Sequence, residues 1–243
     1  MSPAAPPRRE VEAARDRVAG EAAALVEDGM VVGLGTGDTS RRFIEQLASR
    51  ARKESLKLTC VVTSGAAAGC ARSGGLLVRT LGEAPRLDLA VDGADEVAPT
   101  LDLMKGGGGA HTKEKIVAAS AARFVVLVDE TKLVHRLGDT FPVPVEALED
   151  ALPLVRSRLE SLGAEVILRQ AQGAPFITEL GNRILDARFG AIADPFALAA
   201  HLDAIPGALD HGLFIGMAHL VLVGDLSSET VRRLVPERAP RTG

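Results

Sequence analysis

The stretch LDLAVDGADEVAPTLDLMKGGGGAHTKEKIVAASAARFVVLVDETK (87–132) decides the fold. LDLAVDGADEV (87–97) is an aliphatic strand whose C-terminal end carries acids. TKEKIVAASAA (112–122) has helical spacing, and RFVVLVDETK (123–132) reads as another aliphatic strand. Short aliphatic runs alternating with helices predict a parallel sheet of the α/β class. In such sheets ligands bind beyond the carboxyl ends of the strands.

The pattern extends toward the N-terminus. Residues 1–8 read as a disordered leader, and 10–28 as a helix stopped by Gly29. MVVGLG (30–35), LTCVVTS (58–64) and LLVRTL (76–81) are strands. A helix running from Thr39 or Ser40 to about Arg52, and a short one in AAAGCARSG, separate them. Three polar or Gly-rich turns, GTGDTS, DGADE and DETK, thus fall at one sheet edge, with the KGGGGAH loop as a fourth. On the C-terminal side FPVPVEAL (141–148) breaks the alternation, since two prolines suit a linker or an edge segment. Beyond it the sequence predicts a helix (149–162), strands at 164–170, 175–180 and 183–189 with a Gly-Asn turn at 181–182, and a helix (194–203). HLVLVGD (219–225) is a last aliphatic strand, assigned to the first sheet. The expected division is a parallel-sheet domain of residues 1–138 and 212–243 and a smaller α+β domain of 139–211.

Composition excludes several functions. Aromatic residues make up 3% of the chain, with no Trp or Tyr, so the core must be aliphatic, and the scarcity of rings argues against a base-stacking platform for single strands. A net charge of −4 without a basic block argues against a nucleic-acid partner. Cys60 and Cys70 have neither disulfide nor zinc spacing, which predicts a reducing, cytoplasmic setting. No run of 18 apolar residues predicts a membrane span.

Four segments carry candidate chemistry. GLGTGDTS (33–40) turns from a strand into a helix, so its N–H groups suit an anion, although Asp38 would repel one; a ligand-free tight turn is the alternative. Asp92 and Asp95 close a buried strand. They read as functional acids, with a plain turn or a metal site as competing readings, and the metal reading lacks further ligands at suitable spacing. KGGGGAHTKEK (105–115) spends backbone entropy on four glycines, which suits close approach to a ligand. Lys105 enters that loop. Glu114 leaves it in the first helical turn, where an ionised carboxylate is favoured and could act as a base; simple capping of that helix is the alternative. Lys132 ends the DETK turn and reads equally well as solvent-facing.

VDGADEV, KGGGGAHTKEKIVA, VLVDETKLVHRLG, PVPVEAL, GNRILD and IPGALDHGLF, in this order, resemble the type A ribose-5-phosphate isomerases, from about Arg15 to Gly224. The resemblance implies a Rossmann-like parallel-sheet domain with a smaller α+β domain, and interconversion of ribose 5-phosphate and ribulose 5-phosphate through an enediol. It implies Glu114 as the base between C1 and C2, Asp92 and Asp95 as acids on the sugar hydroxyls, and Lys105 as the cation on the enediolate. Thr36, Gly37, Asp38, Thr39 and Lys132 match substrate-contacting positions, and Arg15 falls where some members carry a phosphate-contacting lysine. Gly93, Ala94, Gly106, Gly107 and Gly108 are the adjoining backbone expected to touch substrate. The chemistry needs a carboxylate base, an acid and a positive charge at the oxyanion. It needs no cofactor and no metal. A small-molecule sugar phosphate is the implied partner, and a homodimer or larger homo-oligomer the implied assembly.

Three segments depart from the family pattern. Asp38 stands where the loop usually carries a hydroxyl, TSGAAAGCA (63–71) is poorer in hydroxyl or bulky residues, and TELGN (178–182) replaces a TDNGN-like motif. They leave open a paralogue acting on a different sugar phosphate, with Asp38 altering the phosphate end, or a non-catalytic sugar-phosphate sensor. The sensor reading predicts loss of the base, whereas Glu114 is present.

Overall fold

Aliphatic strands and small-residue helix faces organise the chain in the computed structural model, which describes residues 6–236. In chain order the helices are α1 (Arg8–Ala24), α2 (Asp38–Glu54), α3 (Gly65–Ser73), α4 (His111–Ala119), α5 (Leu152–Ser161) and α6 (Pro195–Asp203). The strands are β1 (Val31–Leu34), β2 (Thr59–Val62), β3 (Leu77–Arg79), β4 (Leu89–Gly93), β5 (Glu96–Val97), β6 (Leu103–Met104), β7 (Phe124–Asp129) and β8 (Val143–Ala147), followed by β9 (Glu165–Leu168), β10 (Gln170–Ala171), β11 (Ala174–Pro175), β12 (Arg183–Arg188), β13 (Ala208–His211), β14 (Leu213–Phe214), β15 (Leu220–Gly224) and β16 (Val231–Leu234).

Two compact units result. The first, within residues 6–93, 117–132 and 218–236, is built on a sheet of order β16-β15-β7-β4-β1-β2-β3. All its pairings are parallel except that of β16 with β15. The chain starts at β1, winds outward to β3, then returns to β4 on the other side. The order therefore reverses between β1 and β4, and such a reversal opens a crevice at the carboxyl ends of the strands. The core is aliphatic, as the composition requires. In α2, Phe43, Ile44, Leu47, Ala48 and Ala51 recur at helical spacing and are buried, and in α1 Ala14, Val18, Ala19, Ala22 and Ala23 do the same. Small residues on α1 let the helix lie close, and α3 starts on Ser64, whose hydroxyl accepts from the Ala67 N–H at 3.2 Å.

The second unit, residues 94–116 and 133–217, holds an antiparallel sheet of order β13-β8-β12-β9 and a small sheet of order β14-β6-β5. Val143, Val145, Ala147, Leu185 and Ala187 form its core with Val155 and Leu159 of α5 and Leu202 of α6. Glu96 is fully buried here, and its carboxylate accepts from the N–H groups of Gly138, Thr140 and Phe141 at 2.6–2.8 Å and from the Thr140 hydroxyl at 2.7 Å. The last acid of DGADE is thus an anchor for the 138–141 loop.

Several expectations need correction. Residues 1–5 of the expected leader lie outside the described residues, and Arg8 already belongs to α1. FPVPVEAL is no linker: β8 is a fully buried inner strand. Pro144 is tolerated because the backbone beside it finds other partners. Its carbonyl accepts from the Gly212 N–H at 2.8 Å, and the Gly212 carbonyl, which an N–H at position 144 would have met, accepts from the Lys105 N–H at 2.8 Å instead. PFITEL (175–180) is not a strand beyond Pro175, which closes the β10–β11 hairpin. The strand expected at 123–132 ends at Asp129 and continues as a 3-10 turn, Glu130–Lys132. Residues 94–116, 133–138 and 212–217, kept with the first domain by the sequence reading, belong to the second unit, where β5, β6 and β14 form a sheet of their own. The edge strand β16 was not foreseen, since VRRL has no aliphatic run.

Candidate active site

In the first unit the candidate residues gather at the carboxyl ends of β1 and β4. β1 runs into Gly35, whose N–H donates to the Val91 carbonyl at 2.9 Å. A Cβ on Gly35 would sit 2.0 Å from Oδ1 of Asp92, so only glycine lets the two strand ends approach this closely. Asp92 is 3% exposed. Its Oδ1 accepts from the Thr36 N–H at 3.1 Å, the Ser40 hydroxyl at 2.8 Å and the Gly93 N–H at 2.8 Å. The Thr36 hydroxyl donates to Ser64 Oγ at 2.8 Å and lies 2.7 Å from Thr63 Oγ1. Gly37 carries φ 108 at the N-cap of α2, a conformation suited to glycine, and Thr39 is half-buried in its first turn.

Asp38 does not stand alone at the head of α2. It accepts from Arg41 Nη2 at 2.9 Å, Arg15 Nη1 at 3.3 Å and Arg42 Nε at 3.5 Å. The hydrogen bond from Arg41, reinforced by the Arg42 charge, holds its carboxyl below the usual range. Arg15 also donates through Nε to Asp129 Oδ2 at 3.1 Å, and Asp129 is 1% exposed at the end of β7. Lys132 ends the following 3-10 turn, half-buried.

In the second unit Lys105 and Glu114 form a buried ion pair, Nζ to Oε2 at 3.0 Å. Glu114 stands in the first turn of α4, and the Lys105 ammonium lies 5.4 Å from the centre of the Phe214 ring. The glycines between them are shaped by close packing. Gly106 (φ 112) faces Pro144 and the His111 ring, and Gly109 (φ 74) faces the Phe176 ring, so a Cβ would collide at either position. Gly107 donates its N–H to Asp95 Oδ2 at 2.8 Å, and Gly108 is exposed beside it. Ala94 and Asp95 are half-buried at the start of this unit, directly after Gly93.

The sequence reading missed residues that hold this machinery. Arg169 donates to the Gly106 carbonyl at 2.7 Å and pairs with Asp186. Glu146 is buried in β8 and accepts from Thr112, from Thr178 at 2.6 Å and from Asn182 at 3.0 Å, which ties the TELGN turn to the start of α4. Ser40, Thr63 and Ser64 frame Thr36 and Asp92. A hydroxyl pair at the end of LTCVVTS was the one available signal. The His111 imidazole is buried and pushed down to about 3, first by desolvation and then by the Lys115 charge. Among the described residues no cluster of three or more His, Cys, Asp or Glu is placed to hold a metal ion, and no helix is long and apolar enough to cross a membrane.

Comparison with known proteins agrees with the geometry. The family model described as ribose 5-phosphate isomerase A (phosphoriboisomerase A) matches residues 59–228. Ribose-5-phosphate isomerase A of Roseiflexus sp. (strain RS-1) is 52% identical over 211 residues, covering 86% of this chain and 91% of its own length. The solved structure of ribose 5-phosphate isomerase A from Methanocaldococcus jannaschii superposes with a TM-score of 0.88 at 43% identity, over 92% of this chain and 99% of that one. A D-ribose-5-phosphate isomerase solved in complex with phospho-erythronic acid gives 0.89 at 39% identity, over 93% and 99%.

Proposed function

The chain belongs to the ribose 5-phosphate isomerase A family, and from that premise we propose that it interconverts ribose 5-phosphate and ribulose 5-phosphate. The observation that carries the proposal is the buried Lys105–Glu114 pair at the mouth of the glycine loop. Aldose–ketose isomerisation moves a proton between C1 and C2 and develops negative charge on the enediolate oxygen. A carboxylate and an ammonium group held side by side out of water supply both needs. Glu114 removes the C2 proton of the open-chain aldose and returns it at C1. Lys105 stabilises the oxyanion while this happens. Asp95, held by Gly107, and Asp92, held by Thr36 and Ser40, accept hydrogen bonds from sugar hydroxyls and relay protons between O1 and O2. Thr36, Gly37, Thr39, Gly93, Ala94, Gly106 and Gly108 offer backbone and hydroxyl contacts, and Arg15 and Lys132 serve the phosphate end.

No step in this scheme calls for a cofactor. The free Cys60 and Cys70 support a reducing, cytoplasmic setting. The family resemblance supports a homodimer or larger homo-oligomer. The test is conversion of ribose 5-phosphate by purified protein in the presence of chelator, with Glu114→Gln as control. Turnover that disappears in the variant is expected. A folded protein without turnover overturns the assignment and favours a sugar-phosphate sensor, whereas a variant that keeps turnover overturns the role of Glu114 as the base.

A further inference from the structure

Arg15 and Asp38 form an ion pair at the head of α2, where the isomerase reading puts the phosphate end of the substrate. A guanidinium recognises phosphate through paired N–H donors. In Arg15 two of these already point at carboxylates, Nε at Asp129 and Nη1 at Asp38. The two anions differ in character. Asp129 is buried at the end of β7, and its other oxygen accepts from the N–H and hydroxyl of Thr131, so it is fixed. Asp38 is 46% exposed at the first position of α2 and is held by arginines alone. The Asp38 side of this pair is open to solvent, and ion pairs of solvent-exposed carboxylates contribute little stability.

On the premise of isomerase activity, we propose that Asp38 is a specificity-determining residue for the phosphate end of the substrate: its carboxylate is an internal counter-anion on Arg15 that an incoming phosphate must displace. A substrate phosphate engages the Nη1 side of Arg15 only when Asp38 turns away toward Arg41 and Arg42, its other two partners. Asp129 keeps the guanidinium in place during the exchange. The phosphate therefore binds more weakly here than it would beside a hydroxyl at position 38, and discrimination between phosphorylated and unphosphorylated sugars is correspondingly lower.

The experiment compares the full-length protein with Asp38→Ser and Asp38→Asn. One readout is the KM for ribose 5-phosphate; the other is protection against thermal unfolding by inorganic phosphate and by unphosphorylated ribose. Removing one negative charge next to the phosphate is expected to lower KM and the half-protecting phosphate concentration by about tenfold, with the change in KM rather than kcat and no change for ribose. In an Arg15→Ala background Asp38→Ser should give no such gain. Unchanged or weakened phosphate binding in both variants overturns the proposal, and so does an equal gain without Arg15, which would indicate general charge rather than competition for that guanidinium. Phosphate protection needs no turnover, so it distinguishes failure of this proposal from failure of the isomerase assignment.

Discussion

Lys105 Nζ lies 3.0 Å from Glu114 Oε2, and neither side chain is more than 5% exposed. Four consecutive glycines lie between them in the chain. The loop returns on itself so that the entering cation meets the departing carboxylate. Buried partners of opposite charge compensate one another, and removing either leaves the other stranded.

Glu114→Gln is therefore expected to act twice. Turnover falls by roughly 10²–10⁴-fold with the loss of the base. Stability falls by about 3–5 kcal/mol, because the Lys105 ammonium stays buried without its counter-charge. Adding Lys105→Met should recover most of the stability and none of the turnover. Urea midpoints and kcat for the single and double variants separate the two effects; a double variant as unstable as the single one contradicts mutual compensation in the pair.

Gly35→Ala places a methyl group 2.0 Å from Asp92 Oδ1. Overpacking of this kind costs about 1–3 kcal/mol. Because Asp92 must move, activity should fall with it. Gly69→Ala is the matched control, since nothing lies within 4 Å of its added methyl group in the exposed face of α3. A helical glycine replaced by alanine should raise stability by up to about 1 kcal/mol. Equal effects at the two positions in chemical denaturation argue against the close approach of the strand ends.

Glu146 is 1% exposed and accepts from three side-chain donors. Glu146→Ala strands the Thr112, Thr178 and Asn182 groups, at a cost of roughly 2–3 kcal/mol or more. Glu146→Gln retains one acceptor oxygen for Thr178 and Asn182, and the Thr112 hydroxyl can rotate to accept, so most of the stability should remain. Thermal melts of both variants test this, and a glutamine variant as unstable as the alanine one would show that the charge itself is required.

Acid should destabilise the fold in a defined window. His111 and His211 are held down to about 3, each first by burial and then by the Lys115 charge, against an ordinary value of 6.5. Below pH 6.5 the unfolded chain takes up protons that the native imidazoles refuse. Stability is thus fully present above 6.5 and lost as pH falls toward 3, by up to about 1.4 kcal/mol per pH unit for each histidine. Unfolding free energies of the protein and of His111→Leu between pH 8 and 5 should diverge in slope below 6.5, the variant being the shallower. Parallel curves refute the assignment.

The parts legible in the sequence are those whose signal lies within a few residues. The aliphatic runs of β1, β4, β7 and β15 and the helical spacing of α2 stand out because burial on both faces or on one face imposes a local pattern. The turns GTGDT and DGADE, and the glycine run before Glu114, were readable because glycine and aspartate mark backbone that must bend or approach closely. Strand β8 was obscured by Pro144 within it and Pro142 just before it, since whether a strand position can spare its N–H depends on its neighbours in the sheet. Strands β5 and β6 were invisible for the same reason, being two residues each and defined only by pairing with each other and with β14.

Sequence by itself determined an aliphatic α/β chain, the order of its parallel strands along the chain, and a short roster of acids, cations and glycines at strand and helix ends. Tertiary structure alone decided what those residues do to one another. It made Glu96 a loop anchor while Asp92 gathered the first loop, and it gave Asp38 three arginines. It also drew Arg15 onto Asp129, 114 residues away. The physical reason is that strand and turn preferences are set by neighbours along the backbone, whereas the state of a charge is set by whatever folding brings within a few ångströms of it.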